Sequence, residues 1–214
     1  MRGVLDYLAA NHATVLAALL RHAGMTGVAL LIALGVALPL GVALARRPRL
    51  AGGVLGALGV LYTVPSLALL ILLVPLFGIN ERAVTAALVL YMQAILVRNV
   101  VAGLRSVDPA VLEAADAMGF GRWQRLARVE LPLALPVILA GVRLAAVVGI
   151  GIATIGAKFN AGGLGTLLFE GIAQAGRADK IWAGALVVGA LALGVHWVLL
   201  AAEKAAARPR RRSA

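Results

Sequence analysis

Five stretches of the chain are apolar for about twenty residues each: about Met25 to Ala45, Val54 to Phe77, Ala83 to Leu104, Leu131 to Ile155 and Ile181 to Ala202. A bilayer core about 30 Å thick is crossed by about 20 residues of α-helix rising 1.5 Å each, so every stretch is long enough to span it. The pattern predicts an all-α, polytopic membrane protein with five core transmembrane helices. With 62% of its 214 residues hydrophobic and 14% charged, the chain has no room for a large soluble domain.

Before the first span, residues from about Leu5 to Leu20 place apolar side chains at helical spacing with Asp6, Asn11 and His12 between them. That suits an amphipathic helix on the membrane surface, and a sixth span if it inserts. The expected organisation is a surface segment over 1–22, a transmembrane domain over 23–204 and a basic tail over 205–214. Met1 to Ala10 lacks a cationic region followed by a compact apolar core, so no cleaved signal peptide is expected.

Several chemistries find no residues. Cysteine is absent, which excludes disulfides, thiolate nucleophiles and Cys-based metal sites. His12, His22 and His196 lack metal-ligand spacing, and no Ser, His and Asp set converges in a loop, so no catalytic or metal site is expected. No GxxxxGK[ST] phosphate loop occurs, so any ATP hydrolysis belongs to another protein. The net charge of +11 has its commoner cause, in so apolar a chain, in basic loops that orient it in a membrane rather than in nucleic acid. Five spans put Arg46, Arg47, Arg49, Arg105, Arg122, Arg125, Arg128 and the tail Arg208, Arg210, Arg211 and Arg212 on one side. Arg2, Arg21, Arg82, Arg177 and Lys180 fall on the other. Basic residues are retained inside, so the first set and the C-terminus are expected to be cytoplasmic.

The one long polar stretch, about 105–131, lies on that cytoplasmic side. Asp108 followed by Pro109 is an N-cap and first-turn signal for a short helix, on which Ala110, Val111, Ala114, Ala115 and Met118 form a small apolar face. Gly119 and Gly121 permit a sharp turn before the chain re-enters the membrane at Leu131 and Pro132. Such a face suits docking into a partner's groove.

Within this stretch Glu113, Ala114, Ala115, Gly119, Leu131 and Pro132 stand at the spacing of the EAA motif, with Val129 where that motif usually has Ile. The chain thus resembles the permeases of bacterial binding-protein-dependent ATP-binding-cassette (ABC) importers. YTVPSLALL from Tyr62, Arg98-Asn99 with GLRSVDP from Gly103, and AGGLG from Ala161 resemble the glycine betaine, carnitine and choline branch. The resemblance implies the type I importer permease fold in the inner membrane and pairing with itself or a sister permease. It also implies an ATPase partner that holds ATP and magnesium, and an extracytoplasmic binding protein. The EAA residues would couple ATPase closure to the spans, this chain itself holding no cofactor. Methionine or taurine permeases share the architecture, and an ion-coupled secondary transporter or a membrane scaffold are the rival classes.

A second group of residues is a candidate path or gate. Pro65 breaks the second span and frees a backbone carbonyl that either lines a path or only shapes packing. Tyr62 and Ser66 lie about one turn apart around it, and Tyr62 and Tyr91 offer aromatic faces to a quaternary ammonium. With three Trp, three Tyr and four Phe, a dense aromatic cage is not expected. Gly162, Gly163 and Gly165 suit an outer gate, and Lys158 and Asn160 depart from the apolar residues usual before AGGLG. Arg98 and Arg143 are either functional intramembrane charges or snorkel to the surface.

Overall fold

The computed structural model describes residues 2–207, and among these every regular element is a helix. The basic arginines at 208 and 210–212 lie outside the described residues. In chain order the helices are α1 (Arg2–Ala10), α2 (His12–Ala45), α3 (Pro48–Thr63), α4 (Ser66–Phe77), α5 (Glu81–Arg105), α6 (Pro109–Ala117), α7 (Arg122–Arg125), α8 (Leu131–Gly156), α9 (Gly165–Ala173) and α10 (Ala178–Ala207). A π-helical turn, Leu126–Glu130, joins α7 to α8, and a 3-10 turn, Ala157–Phe159, follows α8. Four of these are long and apolar enough to cross a membrane, and the broken pair α3 and α4 makes a fifth span if counted as one.

Helix α5 is the axle of the bundle. Val84, Leu88, Val97 and Val100 on it have no exposed surface. The helices around it reach it through small residues. Ala29, Ala33, Ala37 and Gly41 line one face of α2, and Gly141, Ala145, Gly149, Ala153 and Gly156 one face of α8, all of them buried. Without a hydrophobic force between helices in lipid, close backbone approach and dispersion contacts hold a bundle together, and small residues permit both. Side chains of α5 fill the space those residues leave: Val100 at Gly41, Met92 at Gly149 and Val84 at Gly156. Helix α10 packs outside α8, and its Trp182, Leu186, Leu193 and Trp197 are exposed, as a lipid-facing surface requires.

Three features differ from, or sharpen, what the sequence suggests. The segment from His12 to His22 continues the first spanning helix without a break, because nothing between Asn11 and Pro39 interrupts helical hydrogen bonding. At 1.5 Å per residue α2 is about 50 Å long, so its first turns stand beyond a bilayer core. The second span does not merely kink at Pro65: α3 and α4 meet at 98°. Val64 is forced extended ahead of the proline, with ψ 127°, and its carbonyl accepts a hydrogen bond from the Tyr91 hydroxyl. Arg143 is paired, its Nε donating to Glu203 Oε2 at 3.0 Å, while Arg98 is exposed.

The bundle has two distinct ends. One collects the C-terminus of α2, the start of α3, the C-terminus of α5, α6 and the start of α8. Arg105 ties that end by donating to the Leu44 carbonyl at 3.2 Å. The other collects α1, α9 and the 160–164 loop, with Tyr7, Val15, Leu164, Leu167 and Ala183 in a small core of their own.

Candidate coupling site and path residues

The polar 105–131 segment folds as its capping signals predict. Asp108 Oδ1 accepts from the Ala110 N–H at 2.9 Å, and Pro109 occupies the first turn of α6. The helix ends in a left-handed cap: Gly119, at φ 79°, donates to the Asp116 carbonyl at 2.9 Å, and Phe120 donates to that of Ala115 at 3.2 Å. This double closure is what a glycine after the C-cap permits, since a Cβ there would strain the left-handed backbone. Val111, Ala114 and Met118 share an exposed face, and Glu113 beside them is exposed as well. Ala115 is turned the other way and is 1% exposed, so it seats α6 on the chain's own body. An alanine Cβ at Gly119 would meet no atom within 4 Å.

From Arg122 the chain climbs into the bundle as one helix that runs to Phe159. Pro132 lies inside it, where a proline removes a backbone donor and crowds the preceding turn. The π turn just before it answers that crowding: Leu131 N–H reaches back five residues to the Leu126 carbonyl. Leu131 is half-buried and Pro132 exposed at the foot of α8. Sequence reasoning missed the charges gathered here. Arg125 bridges Asp116 on α6, at 2.5 Å, and Glu130, at 3.0 Å, while Arg46 at the end of α2 stands 3.6 Å from the same Glu130 oxygen. Glu130 is buried, and its position at the start of the apolar run, two residues before Pro132, was the available signal.

The eight path residues fall into two groups that the fold keeps apart. Tyr62, Pro65 and Ser66 line an open hollow of about 290 Å³ at the α3–α4 bend, with Tyr91, Val148 and Ile152 opposite. The Tyr62 and Tyr91 rings meet edge to face, centroids 5.8 Å apart. The others lie between α8 and the start of α9: Lys158 in the 3-10 turn, Asn160, Gly162 and Gly163 in the loop after it, and Gly165 as the first residue of α9. Asn160 closes the 3-10 turn in a left-handed conformation that asparagine tolerates, and Lys158 Nζ sits 4.5 Å above the Phe169 ring.

That loop is clasped by α2. Leu164 N–H donates to His22 Nδ1 at 3.3 Å, so His22 carries its proton on Nε2 and donates it to the Ile150 carbonyl at 3.1 Å. Gly162 and Gly163 both have positive φ, and a Cβ on them would come within 2.7 Å of Arg21 Nε and 2.9 Å of His22 Nδ1. Arg21 pairs in turn with Glu81 at 3.3 Å, joining α2 to the start of α5. Nothing in the spacing of single histidines announces this clasp.

Residues 37–211 match the family described as binding-protein-dependent transport system inner membrane component. The chain is 38% identical over 193 residues to the carnitine transport permease protein OpuCD of Listeria monocytogenes, covering 90% of this chain and 86% of that one. It is 39% identical over 200 residues to the osmoprotectant import permease protein OsmW of Salmonella typhimurium, covering 91% and 93%. To the glycine betaine/carnitine/choline transport system permease protein OpuCB of Bacillus subtilis it is 33% identical over 204 residues, covering 95% and 94%. The fold matches a chain of the MetNI methionine ABC transporter, solved in inward-facing conformations, with a TM-score of 0.83 at 22% identity over 91% of this chain and 96% of that one.

Proposed function

Because the chain belongs to the family of binding-protein-dependent transport system inner membrane components, we propose that it is the permease of an ATP-driven importer for quaternary-amine osmoprotectants and that α6 is its docking helix for a separate ATPase. The observation that carries this reading is α6 itself: a short, firmly capped helix at one end of the bundle whose Val111, Ala114 and Met118 face is open. Glu113 would make charge-assisted hydrogen bonds to the ATPase, and the bare Gly119 turn would let its backbone approach closely. The ATPase would hold ATP and magnesium. The permease would catalyse no reaction of its own.

The substrate class comes from the relatives, whose names give carnitine, glycine betaine, choline or osmoprotectants. The hollow at Tyr62, Pro65 and Ser66 supports it, since an aromatic face attracts a quaternary ammonium. Positive charge supports an orientation in which α6, Arg46 and the C-terminus face the cytoplasm. The clasped loop from Lys158 to Gly165 then closes the outer side, where a binding protein would deliver solute. A second copy or a sister permease would complete the pathway. ATP binding would draw the two docking helices together and open the path outward, and hydrolysis would reset it.

Uptake of radiolabelled glycine betaine, in cells carrying this gene with an ATPase and a binding protein, tests the reading against Gly119→Trp. The side chain of that variant projects into open space on the docking side, so insertion is expected to persist while uptake is abolished. Normal uptake by Gly119→Trp would refute docking through α6. No uptake by the unaltered chain, with the ATPase still copurifying, would remove the substrate assignment alone.

A further inference from the structure

We infer that Glu130 is the positioning residue through which a movement of α6 reaches the first span, α2, by way of Arg125 and Arg46. The inference rests on the docking role proposed for α6 and adds the route by which its motion leaves the docking site. Covalently, α6 continues through the Gly119 turn into α7, the π turn and α8, and nothing in that path includes α2. The ion pairs supply the missing connection. Arg125 presents its guanidinium to two carboxylates at once: Nη1 to Asp116 on α6, Nε to Glu130 at the foot of α8. A planar fork held at both ends fixes the azimuth of α6 relative to α8, which a single apolar contact would not do. The same Glu130 oxygen faces Arg46, the residue that caps α2.

Burial gives this joint its stiffness. Only 9% of the Glu130 side chain is exposed, against 40% for Arg46. A carboxylate that stays buried cannot part from its arginines without being left as an uncompensated charge, so when α6 swings, Glu130 and its arginines are constrained to move together. The joint also lies in the π turn, where the helical ladder is locally reorganised and bending is easiest. Helix α2 then carries displacement toward the opposite end, where its His22 holds the 160–164 loop.

The test compares Glu130→Gln and Arg46→Gln with Arg47→Gln, an exposed neighbour of the same charge, in proteoliposomes containing permease, ATPase and binding protein. Solute uptake and ATP hydrolysis are measured together. The expected result is that the ATPase copurifies with every variant. Uptake per ATP should fall by about tenfold in Glu130→Gln and Arg46→Gln, the scale of a typical coupling energy, and stay unchanged in Arg47→Gln. Unchanged uptake per ATP in Arg46→Gln would overturn the inference. So would loss of uptake together with loss of ATPase copurification in both variants, which is what a merely structural ion pair would give. If Glu130→Gln fails to insert, the half-exposed Arg46→Gln decides the outcome. An unaltered chain that binds no ATPase would instead refute the docking role of α6, a result the variants cannot mimic.

Discussion

His22 shows what one side chain does at the end of the bundle away from α6. Fully buried, it accepts from Leu164 N–H and donates to the Ile150 carbonyl, so one imidazole joins α2, α8 and the 160–164 loop. Replacing it with phenylalanine keeps an aromatic ring, somewhat larger than imidazole, and removes both bonds. A buried amide left without a partner costs about 1–3 kcal/mol. At roughly 2–4 °C per kcal/mol for a chain of this size, His22→Phe is expected to lower the melting temperature of the detergent-purified permease by several degrees. Gly163→Ala reaches the same contact from the other side: its backbone is left-handed at φ 79°, and its Cβ would press on His22 Nδ1. It should lower the melting temperature comparably, and the double variant should lose less than the sum of the two because both break one contact. Additive losses would show that the clasp is not a unit.

At the scale of elements, α6 and the α3–α4 break contrast in origin. Helix α6 is specified locally: an Asp-Pro start and a glycine end satisfy terminal backbone groups within a dozen residues, so its position can be read from the chain. Asp108→Ala removes one N-terminal acceptor, at a cost of about 1 kcal/mol. Amide hydrogen exchange across 109–118 should speed up several-fold while α5 and α8 stay protected; unchanged exchange in α6 would mean that docking contacts, not its cap, hold the helix. The break at Pro65 is equally legible as a break, since Val64 must be extended. Its 98° angle is not, because that depends on where Tyr91, from another helix, finds the Val64 carbonyl. The continuity of α2 through His12–His22 also escapes local reading, since polar residues at helical spacing describe a surface helix and the first turns of a long one equally well.

The whole molecule is a bundle with a charged end, the one proposed for docking, and a clasped, loop-rich end, and its sidedness is open to direct measurement. The chain lacks cysteine, so single cysteines report without background. In intact cells a membrane-impermeant thiol reagent should label Gln174→Cys, in the turn after α9, and should label Gln124→Cys, beside α6, only after permeabilisation. The reverse pattern would invert the orientation and with it the docking assignment. Both positions are exposed.

From the sequence one could read the five apolar stretches, though not where the first spanning helix begins, together with the capped helix α6 and the family resemblance, because hydropathy over about 20 residues and capping over a few are local quantities. The EAA residues were legible for the same reason: Asp108 to Pro132 is one continuous stretch. That Ala115 faces inward while Val111 and Met118 stay open follows from the packing alone, since it depends on what lies beneath α6. Packing alone also brought Arg46 to Glu130 and His22 to Leu164, and it kept Tyr62 apart from the Lys158–Gly165 loop. Those relations join residues far apart in the chain through the close packing of α2 and α8 on α5 and on each other, and no local pattern encodes the distance between two packed helices.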